Sequence, residues 1–130
     1  MDGSSGILDA SVVVDLFRGK ANVVERVRAI TKAYVPTIVL GELYFGAYKS
    51  TQTAKRISEI KQLERTITIL DVTRETSQIY GEIKNQLSAK GRPIPENDIW
   101  IAAISKEHRL LLITSDNHFD EVEDILIEKL

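Results

Sequence analysis

The sequence contains no cysteine, which excludes disulfides, thiolate metal sites and cysteine nucleophiles and suits a reducing compartment. Long apolar runs are missing too. The longest, Ile99 to Ile104 and Leu110 to Ile113, fall far short of the roughly 20 residues that a membrane-crossing helix needs. Positive charge is not in excess: 17 basic residues against 19 acidic ones give a net charge of -2. No global field therefore draws in nucleic acid, and any such binding must use local patches. The absence of a Gly-rich phosphate loop of the GxxxxGKS or GxxxxGKT kind argues against an NTPase. The opening stretch Met1-Asp2-Gly3-Ser4-Ser5-Gly6 has neither the basic nor the apolar region of a signal peptide, so residues 1–6 read as a flexible leader or a cloning remnant. With no signal and no thiol, the expected location is the cytoplasm.

What is present suits one compact domain over residues 7–130, because a chain of 130 residues buries roughly two thirds of the surface its unfolded form exposes. The short apolar run Gly6 to Leu8, then Asp9, Ser11 as a cap, Val12 to Arg18 and Gly19 read as strand, cap, helix and stop. Val23, Val24, Val27 and Ile30 recur at helical spacing, which predicts a helix over 21–32 before a short strand at Tyr34 and Val35. Pro36 opens another helix, whose inward stripe is Val39, Leu40, Leu43, Tyr44 and Ala47 and whose edge carries Glu42. Ile57, Ile60 and Leu63 mark a further helix, Thr66 to Val72 alternates like a strand, and Ile79, Tyr80, Ile83 and Leu87 mark a long helix ending near Gly91. After the loop Arg92-Pro93-Ile94-Pro95 come a helix over 97–107 with Trp100, Ile101 and Ile104 inward, a strand at Leu110 to Ile113, a helical turn near Phe119 and a last strand at Ile125 to Ile127. Strands alternating with helices imply an α/β fold with a parallel sheet covered on both faces, since parallel strands need crossover connections.

Ligands of such sheets bind beyond the carboxyl ends of the strands, where the winding direction reverses. Asp9 follows the first strand and Asp116 lies just past the strand at 110–113, while Glu42 and Asp98 ride on helices that begin at the same edge. Gathering four carboxylates is costly, because two unit charges about 4 Å apart repel by roughly 4 kcal/mol at an effective dielectric near 20. A divalent cation removes that cost. Oxygen donors without thiolates favour magnesium or manganese, and a paired or single ion of that kind serves phosphodiester cleavage. Each acid also has a bland role: Asp9 as a cap, Asp98 as a partner of its helix dipole, Glu42 as a solvated side chain and Asp116 as a turn residue. Capping, however, does not explain why all four should meet at one sheet edge. Asp120 is a weaker candidate as an outer ligand, and Asp15, Asp71 and Glu96 are read as structural. Asn97 and Thr114 are placed to support waters on the ion. His108 and His118 are assigned structural or surface roles.

Four stretches then form a pattern: Ile7-Leu8-Asp9-Ala10-Ser11-Val12, Gly41-Glu42-Leu43-Tyr44-Phe45-Gly46-Ala47, Ile94-Pro95-Glu96-Asn97-Asp98-Ile99-Trp100-Ile101-Ala102-Ala103, and Thr114-Ser115-Asp116-Asn117-His118-Phe119. In this order they closely resemble the PIN-domain VapC toxins, from about residue 6 to the end. The resemblance implies a three-layer fold with about five parallel strands and a homodimer. It further implies magnesium- or manganese-dependent endoribonuclease action that stops translation by cutting a transfer or ribosomal RNA loop, neutralised by a small VapB-like antitoxin. By motif position the metal-site acids fall on Asp9, Glu42, Asp98 and Asp116, with Thr114 and Asn97 in support. Lys49, Lys55 and Arg56, in a locally basic stretch, are candidate RNA contacts; neighbouring Phe45 and Tyr48 are read as packing against a helix or the dimer mate, with base stacking or an antitoxin side chain as the alternative. Two alternatives stay open: a PIN-like module that binds without cutting, and a phosphate-accepting receiver domain. The second fits less well, because Asp9 is followed by Ala10 and residues 114–118 hold no lysine.

Overall fold

The computed structural model describes residues 5–130. Its centre is a five-stranded, all-parallel sheet with strand order β3-β2-β1-β4-β5. The strands are β1 (Ser5–Leu8), β2 (Lys32–Pro36), β3 (Thr68–Leu70), β4 (Leu112–Thr114) and β5 (Ile127–Lys129). Helices connect and flank them: α1 (Ala10–Phe17), α2 (Ala21–Arg28), α3 (Thr37–Lys49), α4 (Thr53–Glu64), α5 (Arg74–Lys90) and α6 (Glu96–His108), with a short 3-10 turn at Asn117–Glu121. Winding runs outward from β1 through β2 to β3, then crosses back to β4 on the other side of β1. The reversal lies between β1 and β4, where Ile7 pairs with Leu112 and Leu8 with Ile113. The expected α/β architecture is therefore present.

The central strands are short and apolar because both their faces are covered, as parallel sheets require. Ile7, Leu8, Val35, Leu112 and Ile113 are fully buried and join Val12 and Val13 of α1 and Ile101 and Ile104 of α6 in one core. Each such side chain contributes about 1.5–3 kcal/mol by leaving water. Among the described residues no helix is long and apolar enough to cross a membrane.

The structure departs from the sequence reading in several places. Strand β1 contains the expected run Gly6 to Leu8 and adds Ser5, so the last two residues of the expected leader 1–6 belong to the sheet; residues 1–4 lie outside the described residues. Gly6 belongs there sterically: a Cβ at this position would stand 2.9 Å from Ile113 Cδ1, so β1 and the β4 side chains approach closely. Helix α2 stops at Arg28, and Lys32 already pairs with Ser5. Strand β5 begins at Ile127 instead of Ile125, because the chain bends at Asp124, whose φ is 61°, and Leu126 completes the approach by accepting from Leu112 N. Trp100 is half-buried and stacks on Tyr80 of α5, with ring centroids 4.0 Å apart and planes within 14°. At the C-terminus of α5, Gly91 adopts φ 65°, the left-handed conformation that ends helices and that glycine enters without a side-chain penalty.

One ion pair pins the last strand. Arg26 of α2 holds Glu128 of β5 in a two-pronged contact, Nε to Oε2 at 2.7 Å and Nη2 to Oε1 at 2.9 Å. The guanidinium keeps the Glu128 carboxyl below its usual range and is itself raised by that partner. Because the pair is part-exposed, Arg26→Ala is expected to cost about 1 kcal/mol in urea denaturation at neutral pH. A carboxyl with a depressed folded-state pKa stabilises above its unfolded value, so the difference between wild type and variant should vanish as the pH falls through the Glu128 range.

Candidate metal centre

Asp9 leaves β1 at the reversal point and is buried, with 5% of its surface exposed. It is the N-cap of α1, in place of the expected Ser11, and its Oδ1 accepts from Ala10 N at 2.9 Å. Its Oδ2 accepts from the Thr114 hydroxyl at 2.7 Å, and that same hydroxyl oxygen accepts from Asp116 N at 2.9 Å. Thr114, fully buried at the end of β4, thus ties Asp9 to the turn that carries Asp116. Both oxygens of Asp9 are thus engaged, one by the first amide of α1 and the other by the Thr114 hydroxyl.

Asp116 caps the 3-10 turn, accepting from His118 N at 2.8 Å, and Phe119 anchors the turn from within the core. On the outer side Lys129 donates to Asn117 Oδ1 at 2.7 Å and to both oxygens of Asp120 at 2.9 Å. Asp120 is therefore already paired. Asp98 lies in the first turn of α6 with 8% of its surface exposed, and Glu42 is half-buried on α3, where Asn97 Nδ2 reaches it at 3.5 Å. Asp15 and Glu96 pair with Lys20 and Lys84.

The four acids lie within reach of one another's charge. Burial raises the Asp9 carboxyl, and the charge of Asp116 adds to it against hydrogen bonds from Thr114 and Ala10. Burial likewise raises Glu42, and the charges of Asp9, Asp98 and Asp116 all push it further. Asp98 is raised by burial and by Asp9 and Asp116, with the His118 hydrogen bond opposing. Among the described residues no lysine or arginine forms an ion pair with any of the four. Uncompensated oxygens of this kind suit a hard divalent cation, which removes both the repulsion and the desolvation cost.

His118, expected in a structural or surface role, lies against two of the acids. Its Nδ1 lies 2.9 Å from Asp98 Oδ2 and 3.0 Å from Asp116 Oδ1. Asp98, Asp116 and His118 each bring a ligand atom within 4.8 Å of the others, a tighter group than the four acids together. The available signal was Phe119: an apolar residue directly after His118 fixes the turn, which then presents its neighbour to the crevice.

Beside Glu42 opens a cavity of about 370 Å³ between α1, α3 and α4, with Val14, Phe17, Leu43 and Ile60 in its wall together with Arg18 and Arg56. Of the candidate RNA contacts, Arg56 is bound to Glu59 at 2.8 Å, Lys49 lies 5.1 Å over the Phe45 ring and Lys55 is exposed. Phe45 and Tyr48 are 65% and 67% exposed, so within the chain neither packs against a neighbouring helix as expected.

The sequence profile of the PIN domain matches residues 6–125. Ribonuclease VapC2 of Haemophilus influenzae is 37% identical over 95 residues, which span 73% of this chain and 70% of that one. This chain belongs to the VapC family of PIN-domain proteins. Solved structures share the PIN fold throughout. VapBC2 from Rickettsia felis, bound to a promoter DNA fragment, superposes with a TM-score of 0.90 at 21% identity over 97% of this chain and 98% of that one. VapBC-1 from nontypeable Haemophilus influenzae gives 0.87 at 26% identity over 96% and 97%. Membership of the PIN family removes the receiver-domain alternative.

Within this VapC-family chain the Thr114 hydroxyl can be tested directly. Thr114→Val keeps shape but leaves Asp116 N without its acceptor and Asp9 Oδ2 without its donor. The change is expected to weaken Mn²⁺ binding by about tenfold, the lower end for residues that orient metal ligands. Isothermal titration calorimetry measures it.

Proposed function

We propose that this chain is an endoribonuclease toxin that cuts RNA with a divalent cation held by Asp9, Glu42, Asp98 and Asp116. The observation that carries the proposal is a set of mutually repelling carboxylates without a lysine or arginine partner, Asp9 and Asp98 among them buried, in a chain 37% identical to a ribonuclease VapC. Magnesium or manganese, when bound, supplies the Lewis acidity and charge neutralisation that phosphodiester hydrolysis needs. The chain's own residues do the rest. Asp9 and Asp98 hold the ion from rigid element ends, Glu42 closes the cleft from α3, Thr114 fixes Asp9 and Asp116 together, and Asn97 orients Glu42.

The substrate is a loop of transfer or ribosomal RNA, since only unpaired, splayed nucleotides reach such a crevice. Lys49, Lys55 and Arg56 steer the backbone past the cavity beside Glu42. A VapB-like antitoxin neutralises the protein, a reading supported by the VapBC-1 complex at 26% identity, and the protein acts in the cytoplasm as a homodimer.

The test is incubation of end-labelled transfer and ribosomal RNA with purified protein and Mg²⁺ or Mn²⁺, with a chelator control. Discrete cuts that vanish with chelator and return with added cation are expected. Intact RNA under all cation conditions, or cutting that persists in chelator, would refute the proposal.

A further inference from the structure

We propose that His118 is a nitrogen ligand to the same cation, and that it biases the centre from magnesium toward manganese. This rests on the metal-dependent reading above and adds a residue outside the acidic set.

The geometry begins with a mismatch. Two carboxylate oxygens, Asp98 Oδ2 at 2.9 Å and Asp116 Oδ1 at 3.0 Å, converge on the single atom Nδ1 of His118. One ring nitrogen carries at most one proton and directs it one way, here to Asp98, so Asp116 Oδ1 lies against the same nitrogen while its hydrogen bond comes from the His118 backbone N–H. A cation among the three atoms serves all of them. The spacing also fits, since adjacent ligands about 2.1 Å from an octahedral ion lie about 3.0 Å from one another. Ligation uses the Nδ1 lone pair and leaves the ring proton on Nε2.

The ring is held ready for this. Its turn is anchored inward by the fully buried Phe119, capped by Asp116 and gripped from outside by Lys129 through Asn117. The side chain is 49% exposed, so it stands on the open side of the cluster, opposite the buried Asp98. An imidazole nitrogen is a softer donor than a carboxylate and ranks first-row transition ions above magnesium. A centre of four carboxylates alone discriminates less between the two ions.

The sequence holds only two histidines, and the other, His108, sits at the far end of α6 from Asp98 with its Nε2 3.8 Å from Glu107. Nitrogen coupling to bound Mn²⁺ is therefore assignable. The experiment is pulsed electron paramagnetic resonance on the full chain, ¹⁵N-labelled at histidine and loaded with Mn²⁺, beside calorimetric titrations with Mn²⁺ and Mg²⁺. The partner variant is His118→Asn, which keeps a hydrogen-bond donor near the Nδ1 position and removes the ligating ring; its circular dichroism melt checks the fold.

The expected result is a histidine nitrogen coupling in the wild type that disappears in His118→Asn. Mn²⁺ affinity should fall about tenfold in the variant and Mg²⁺ affinity less than about twofold. Tight Mn²⁺ binding without nitrogen coupling, or equal losses for the two ions, would mean that His118 only donates a hydrogen bond; the proposal would fall and the acidic centre would stand. Failure of the wild type to bind either ion would overturn both.

Discussion

Asp98→Asn is expected to lower the single-turnover rate of RNA cleavage by about a thousandfold while the fold survives. The magnitude follows from the several kcal/mol that a metal centre contributes to phosphoryl chemistry, at about 1.4 kcal/mol per factor of ten. The substitution removes a charged ligand and nearly preserves volume. Its hydrogen bonding adapts as well, because the amide of the new residue can donate to His118 Nδ1 once the ring proton moves to Nε2. Asp9→Asn should be as damaging to cleavage but less gentle on the fold. Both oxygens of Asp9 accept, one from Ala10 N and one from Thr114 Oγ1, and an amide can accept at only one end. Rates measured with saturating Mn²⁺, alongside thermal melts, separate lost chemistry from lost structure. Survival of more than a tenth of the wild-type rate in Asp98→Asn would place the ion elsewhere.

Cation binding should also raise thermal stability, and the size of the rise should depend on pH. Asp9, Glu42 and Asp98 have carboxyls raised above their ordinary values, chiefly by burial. Between the unfolded and the folded pKa the native state then holds more protons than the unfolded chain, so stability without metal declines as the pH climbs through that window. A divalent ion reverses this at neutral pH. At a hundred times its dissociation constant it adds about 2.7 kcal/mol, or about 10 °C for a domain of this size. The gain should shrink as the pH falls through the raised carboxyl range, because protons compete for the same oxygens. A thermal-shift grid of Mn²⁺ against pH reads both effects. A gain that is absent, or identical at every pH, would show that these carboxylates do not bind the ion.

Much of this arrangement was legible in the residues because the informative segments are short and strongly patterned. Leu8-Asp9 marks a buried strand end followed by a cap, and the stripe from Val39 to Ala47 turns Glu42 to the edge of its helix. Other features depend on contacts that local pattern does not encode. Ile125 to Ile127 is apolar enough to be a strand, yet the bend at Asp124 spends its first two residues on the turn, and pairing runs on to Lys129. Trp100 sits at a core-facing spacing but finds Tyr80 of α5 instead, a partner twenty residues back. His118 is the instructive omission. As an isolated histidine in a polar turn it carries little information, and its meaning comes from Asp98, a residue on another element.

The bond between Thr114 and Asp9 closes a span of 105 residues, and long-range closures of this kind come late in folding. Synthesis proceeds from the amino terminus, so a nascent chain exposes Asp9 and Glu42 well before Asp98 and Asp116 exist. The ribosome making this protein is thus shielded from a finished nuclease until β4 and the turn beyond it have left the exit tunnel.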